Sequence, residues 1–318
     1  MTRLGRAARA PRWLRRVGIT VLAGFVLVTV FSFGYNAATA GRASAPAGLR
    51  FVTADGIRTR YRQWDGPGPP IVLVHGFAES ADTFDPLGRA LSKTRQVYAL
   101  DLTGWGYSQR VGPYDAQHQA AQLLGFLDAL HLGRPVLVGH SSGAAVVAEA
   151  TLRNPRRVGG VVFLDGDALN IGAGSRFGGL RSGLVDPYRT TLLRLAIHSD
   201  RLIRSVYSAN CGPSCPPLDA AGVRQWRRPF EVPGAERAIW QFTGLVGLPA
   251  SRVAELADVP VPKAVVFGAN DDVFDHSAPY TAATRIGAPA PTVIPGARHL
   301  SFISHPDAVA AAVSALPG

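Results

Sequence analysis

A mainly parallel β-sheet with helices on both faces is the fold class this sequence predicts. Three observations predict it. Short apolar runs recur at Ile71–His75, Gln96–Leu100, Pro135–Gly139, Val158–Leu164 and Lys263–Phe267. They are continuous rather than alternating, as strands covered on both faces require. Stretches with helical spacing separate them, at Phe84–Leu91, Ala116–Leu130 and Ala144–Leu152, which is the rhythm of a doubly covered sheet. That rhythm stops at residue 167 and resumes near residue 251, so one sheet domain carries an insertion.

The chain has 318 residues, of which 47% are hydrophobic and 17% charged, which excludes a disordered protein. Its net charge of +11 is uneven. Arg3, Arg6, Arg9, Arg12, Arg15 and Arg16 precede the first long apolar run, leaving 27 basic against 22 acidic residues elsewhere. That balance gives no reason to expect a nucleic-acid partner. From Val17 to Gly41 no residue is charged. The run approaches the ~20 apolar residues that span a bilayer and exceeds the ~7–15 of a signal peptide. The basic flank then keeps residues 1–16 cytoplasmic and places the rest outside. Ala38-Thr39-Ala40 fits signal cleavage near Ala40, and Arg15-Arg16 fits twin-arginine export, so secretion is the alternative.

The expected organisation follows. Residues 1–16 are a cytoplasmic basic segment, 17–39 a transmembrane anchor or signal, and 40–48 a linker. Residues 49–166 form the first part of the core, 167–250 a mostly helical lid, and 251–318 the second part. Leu49–Thr53 and Ile57–Trp64 alternate around Asp55-Gly56 and predict an antiparallel hairpin. Later elements are expected at Pro279–Ile286, Thr292–Ile294 and Ala308–Ala315. Cys211 and Cys215, in Cys-Gly-Pro-Ser-Cys, suit a short disulfide or two free thiols. No metal-ligand spacing and no cofactor fingerprint stands out. Oligomeric state is not legible.

The most informative segment is Val136-Leu-Val-Gly139-His140-Ser141-Ser142-Gly143. An apolar strand runs into Gly-x-Ser-x-Gly and a small-residue helix begins at once. A sharp turn there lifts Ser141 to the strand tip, while Gly139 and Gly143 spare the β-carbons that would clash. The Ser142 N–H, near a helix N-terminus, suits a developing oxyanion. Earlier, Ile71–Val74 runs into His75-Gly76-Phe77. Gly76 permits close backbone approach, Phe77 offers a second oxyanion N–H, and His75 reads as a structural hydrogen-bonder.

These residues resemble the α/β-hydrolase superfamily over about residues 49–318, lid excepted. His75-Gly76-Phe77 is similar to its oxyanion motif, Gly139–Gly143 to its nucleophile elbow, and Asp101-Leu-Thr-Gly104-Trp-Gly106-Tyr-Ser108 to its Asp-x-x-Gly-x-Gly-x-Ser turn. The resemblance implies an α/β-hydrolase fold and a Ser–Asp–His triad in that chain order. Its Gly-x-x-Asp pattern falls on Asp271, with Asp272 and Asp165 as alternatives. Its general base falls on His299, after the Thr292–Ile294 strand.

A serine at the elbow, rather than aspartate, argues against alkyl-ester intermediates and for an acyl-enzyme. The expected function is therefore a carboxylesterase- or lipase-like serine hydrolase acting on a small-molecule ester, without a cofactor. Alternatives on the same triad are a proline-releasing aminopeptidase, a carbon–carbon bond hydrolase and a cofactor-free perhydrolase. A non-catalytic hydrolase-like binding protein is a further reading. In the lid, Trp226, Phe230, Trp240 and Phe242 suit an acyl pocket or the lid's own core. Arg224, Arg227 and Arg228 suit an acidic substrate or a solvated face.

Overall fold

The structure is a computed structural model and describes residues 11–41, 43–169, 185–242 and 247–316. Arg3, Arg6 and Arg9 lie outside the described residues, as do residues 170–184 and 243–246 of the expected lid. Eight strands form one sheet in the order β1-β2-β4-β3-β5-β6-β7-β8. They are β1 (Arg50–Ala54), β2 (Ile57–Trp64), β3 (Pro70–Val74), β4 (Gln96–Leu100), β5 (Val136–His140), β6 (Gly160–Leu164), β7 (Lys263–Gly268) and β8 (Thr292–Ile294). The first two form the antiparallel hairpin around Asp55-Gly56, and β2 joins β4 antiparallel. From β4 to β8 every neighbour is parallel.

Two apolar layers explain the continuous strands. One lies between the sheet and α3 (Ala116–Ala129), α4 (Gly143–Arg153) and α10 (Ala278–Ile286), with Leu123, Phe126, Val147 and Ile286 fully buried. The other faces α2 (Asp85–Leu91), α11 (Ser301–Ser304) and α12 (Pro306–Ser314) and buries Phe84, Leu87, Phe302 and Val309. Chain order reverses about β3, which β4 and β5 flank. A crevice at the carboxyl ends of the strands forms at such a switch point.

Between β6 and β7 the described insertion is helical: α5 (Tyr188–Ile197), α6 (Asp200–Cys211), α7 (Ala220–Arg227), α8 (Ala235–Phe242) and α9 (Ala250–Ala254). Cys211 and Cys215 are bridged at the end of α6, with Cα atoms 5.8 Å apart. Before the sheet, α1 runs from Arg12 to Ala38, so the helix begins in the basic segment rather than at residue 17. Arginine is a good helix former, and nothing at Arg12–Arg16 breaks the helix. Most of α1's apolar side chains are exposed, among them Leu22, Phe25, Leu27 and Val30.

α1 is not free-standing. The Thr29 hydroxyl donates to the Phe25 carbonyl at 2.8 Å and lies 2.7 Å from the Tyr188 hydroxyl. Asn36 Nδ2 donates to the Pro187 carbonyl at 2.9 Å, and Thr191 donates to Asn36 Oδ1 at 3.1 Å. Arg194, buried, pairs with Glu236 and reaches the Asn36 carbonyl. Beyond α1, the Ala43 N–H donates to the Glu231 carbonyl at 3.2 Å, and Arg228 donates to the Ser44 carbonyl at 3.2 Å.

Candidate active site

The loops after β3, β5, β6, β7 and β8 meet at the carboxyl edge of the sheet. Ser141 follows β5 directly, with φ of 51°. That left-handed conformation is strained for a residue with a β-carbon. It is held on both sides. The Ser141 N–H donates to the Leu164 carbonyl at 2.9 Å, and its own carbonyl accepts from Ala144 as α4 begins. A β-carbon on Gly139 would lie 2.4 Å from the Gly143 carbonyl oxygen, and one on Gly143 would lie 2.4 Å from that of Val74. Both positions therefore require glycine. Gly166, which the sequence did not single out, is equally constrained: its β-carbon would lie 2.5 Å from the Ser141 carbonyl oxygen.

His299 follows β8. Its Nε2 lies 3.1 Å from Ser141 Oγ and its Nδ1 lies 2.9 Å from Asp271 Oδ2. A carboxylate only accepts, so Nδ1 carries the proton and Nε2 accepts from the serine hydroxyl. Asp271, buried, also accepts the Val273 N–H through Oδ1 at 2.8 Å, which fixes the carboxylate plane. The two alternative acids stand elsewhere. Asp272 is exposed and faces Arg298 at 3.9 Å. Asp165 is fully buried, accepts the Gly268 N–H at 2.7 Å and meets the Ser301 hydroxyl. Burial, then the nearby Asp271 charge, push its carboxyl up to about 7 although His299 and the Ser301 and Gly268 hydrogen bonds oppose this.

The loop after β3 comes close to the serine. A β-carbon on Gly76 would stand 2.9 Å from Ser141 Cβ. Next along the chain, Phe77 is half-exposed, and its ring meets Trp105 at 4.9 Å edge-on. Ser142 occupies the N-cap of α4, where first-turn N–H groups lack helical partners. His75 is fully buried; its Nε2 accepts the Leu102 N–H at 3.0 Å, so its Nδ1 donates to the Gly76 carbonyl at 2.8 Å. Burial lowers its pKa, consistent with a neutral ring in a structural place.

Sequence reading missed a buried pair beneath this cluster. His140, the unspecified residue of Gly-x-Ser, sends Nδ1 to Glu79 Oε2 at 3.0 Å and Nε2 to the His299 carbonyl at 2.9 Å. Both partners are acceptors, so both ring nitrogens carry protons and the ring is an imidazolium. Burial opposes that charge, but Glu79 beside it raises the His140 pKa. Burial likewise disfavours the Glu79 carboxylate, and His140 overrides it and lowers its pKa. Glu79 Oε2 also accepts the Gly76 N–H at 3.0 Å. One ion pair therefore ties the β3 loop, the β5 turn and the His299 loop together. No local signal marks Glu79; its partner is 61 residues away.

The Asp101–Ser108 turn has a bracing geometry. Asp101 Oδ1 accepts the Ala81 N–H at 2.7 Å and Oδ2 accepts the Tyr107 N–H at 2.8 Å, while buried Arg60 reaches both Asp101 and Asp82. The aromatics of the insertion divide. Trp226 packs on Tyr207, and Phe230 packs on Trp105 at 6.4 Å. Trp240 lies under the Arg189 guanidinium, whereas the Phe242 side chain is outside the described residues. Arg227 is paired with Asp200 and Glu231, and Arg228 holds the Ser44 carbonyl. Arg224 is exposed. Among the described residues no His, Cys, Asp and Glu cluster is arranged to hold a metal.

Comparison with known proteins places this geometry in context. The family model described as the alpha/beta hydrolase family matches residues 71–312. A pimeloyl-[acyl-carrier protein] methyl ester esterase of Aliivibrio salmonicida is 25% identical over 251 residues, 78% of this chain and 91% of that protein. An uncharacterized hydrolase of Bacillus subtilis is 35% identical over 119 residues, 36% of this chain and 44% of its own length. A 2-hydroxy-6-oxo-2,4-heptadienoate hydrolase of Pseudomonas putida is 38% identical over 120 residues, 36% of this chain. The chain thus spans under half the length of these last two relatives. Among solved structures, a membrane phospholipase A superposes with a TM-score of 0.68 at 21% identity and covers 96% of both chains. A serine hydrolase of carbazole degradation does so at 0.68 and 21%, covering 84% of this chain and 97% of its own. At such identities the likeness speaks for the fold. Because the family model spans most of the sequence and the sheet carries the same architecture, this chain belongs to the alpha/beta hydrolase family.

Proposed function

We propose that this protein is an ester-cleaving serine hydrolase working through Ser141, His299 and Asp271. The observation that carries the reading is the hydrogen-bonded line from Ser141 Oγ through the His299 ring to Asp271. In the proposed reaction, Ser141 Oγ attacks the ester carbonyl carbon and its proton passes to His299 Nε2. The N–H groups of Phe77 and Ser142 receive the oxyanion. His299 then protonates the leaving alcohol, giving an acyl-enzyme. Water, deprotonated by His299, releases the carboxylic acid and restores Ser141. Asp271 keeps the proton on Nδ1 and balances the imidazolium. The helical insertion, residues 167–250, serves as the lid, with Phe77, Trp105 and Phe230 as apolar wall.

In the same reading α1 anchors the chain in a membrane, with the hydrolase domain on the non-cytoplasmic side. Its exposed apolar surface and its basic N-terminal flank support this. An uncleaved anchor is favoured over a cleaved signal because α1 is bonded to α5 through Thr29 and Asn36. Intact-mass measurement of membrane-extracted protein decides between them: loss of residues 1–40 would refute the anchor.

The test of the chemistry is Ser141→Ala in the full-length protein. Turnover of short p-nitrophenyl esters is expected to fall by roughly 10⁴-fold or more, and fluorophosphonate labelling is expected to vanish, with unchanged circular dichroism. A variant that still turns over and still labels sinks the assignment.

A further inference from the structure

The lid helices carry an apolar stripe that the proposed chemistry does not use. On α5, Tyr188, Leu192 and Leu195 follow at i, i+4 and i+7 and share one face. Leu192 is 51% exposed and Leu195 is 44% exposed. On the adjoining α6, Leu202 and Val206 are one turn apart and equally uncovered, at 44% and 54%. Val185, just before α5, is exposed as well. Among the described residues, Arg201 and Arg204 beside this stripe have no carboxylate at salt-bridge distance.

What covers the stripe follows from α1. Counted from Val17, a hydrocarbon core of about 30 Å ends near Asn36. Asn36 is the residue bonded to Pro187 and Thr191, at the start of α5. Tyr188 reaches deeper. Its hydroxyl meets Thr29, about two turns or ~10 Å inside that edge. Its ring lies 6.0 Å from that of Phe25. The Thr29 hydroxyl already donates to Phe25, so Tyr188 donates to Thr29, and the tyrosine's polar end is satisfied within the apolar layer. Any bilayer crossed by α1 therefore has its outer edge at α5. Leu192 and Leu195 continue the face that Tyr188 begins. Arginines flanking an apolar stripe match anionic headgroups.

We propose that α5 and α6 dock on the outer leaflet of the membrane that α1 crosses, seating Leu192, Leu195, Leu202 and Val206 among lipid acyl chains. The occupant is lipid, and the proposal rests on the reading of α1 as an anchor. It bears on the site because α6 ends there. The Asn210 carbonyl accepts the Leu300 N–H at 3.0 Å, and the Ala209 carbonyl accepts from Arg298 at 2.9 Å. These bonds bracket His299, so the docked helix and the base loop are one connected piece.

The experiment uses the full chain in vesicles of phosphatidylcholine and phosphatidylglycerol containing nitroxide-labelled acyl chains. Cys211 and Cys215 are bridged, so a single introduced cysteine takes a bimane fluorophore. Four variants suffice: Leu192→Cys, Leu202→Cys, Phe25→Cys and, on the exposed core surface, Lys93→Cys. The expected result is a loss of fluorescence of about twofold or more at positions 192 and 202, seated ~5–10 Å into the leaflet, and at position 25, near the bilayer middle, with none at 93. Quenching at 25 without quenching at 192 and 202 overturns the docking while leaving the anchor intact. Shielding of 192 and 202 from both lipid nitroxides and aqueous quenchers assigns the stripe to a protein neighbour and also overturns it. No quenching at 25 removes the anchor and the docking with it. Equal quenching at 93 marks unspecific adsorption and refutes a directed surface.

Discussion

At the scale of single residues, the His140–Glu79 pair makes a quantitative demand. Breaking a buried ion pair leaves an uncompensated group, at about 3–5 kcal/mol. Glu79→Gln is therefore expected to lower stability by about 3 kcal/mol at pH 6, measured by urea denaturation of the reconstituted protein. The sign with pH is fixed by the two shifts. His140 is raised above 6.5, so its stabilisation is full below 6.5 and is lost as pH rises through the folded value. Glu79 is lowered below 4.5, so its part is full above 4.5 and is lost as pH falls through its folded value. The difference between wild type and Glu79→Gln should thus be largest between pH 4.5 and 6.5 and shrink on both sides.

Asp165 behaves in the opposite sense. With its carboxyl raised from 3.8 to about 7, folding holds a proton that the unfolded chain releases, and stability falls as pH rises between those values. Asparagine keeps both contacts, accepting from Gly268 and donating to Ser301. Asp165→Asn is expected to raise Tm at pH 8 relative to wild type, to change it little at pH 4, and to retain ester turnover. Asp271→Asn, by contrast, is expected to lower kcat by roughly 10⁴-fold by favouring the wrong histidine tautomer. Loss of turnover in Asp165→Asn with retention in Asp271→Asn would transfer the acid's role to Asp165.

Elements explain what a linear reading reaches and what it does not. Each of Ser141, Asp271 and His299 lies just beyond a strand, in a short loop whose glycines the letters display. The parallel sheet was legible for the same reason: its strands are buried on both faces and read as unbroken apolar runs. Glu79 and His140 were not, because a Glu in a loop and an unspecified motif position acquire meaning only when β3 and β5 pair. The apolar stripe of α5 and α6 was missed because Arg189, Arg194, Arg201 and Arg204 interrupt it in sequence while lying beside it in space. The Asp101–Ser108 turn offers a test at this scale. Gly106 has φ of 52°, and a β-carbon there would fall 2.1 Å from the Asp101 carboxylate. Gly106→Ala is expected to cost about 3 kcal/mol or more, through the left-handed backbone and displacement of a buried acid. Thermal unfolding checks this; a Tm unchanged within a degree would contradict it.

At the scale of the whole molecule, the neck between α1 and the sheet is stitched down. Arg194 holds the Asn36 carbonyl, Ala43 is bonded to Glu231, and Ser44 to Arg228. A head swinging on a slack tether would sample every heading above its anchor. With α1 as the proposed anchor, this head would keep a single bearing, and neighbouring copies in one bilayer would present the same flank upward and the same flank down. Polarised fluorescence from a rigidly attached dye on an oriented supported bilayer should then report a narrow tilt distribution, broadening when Arg194→Ala cuts the stitching.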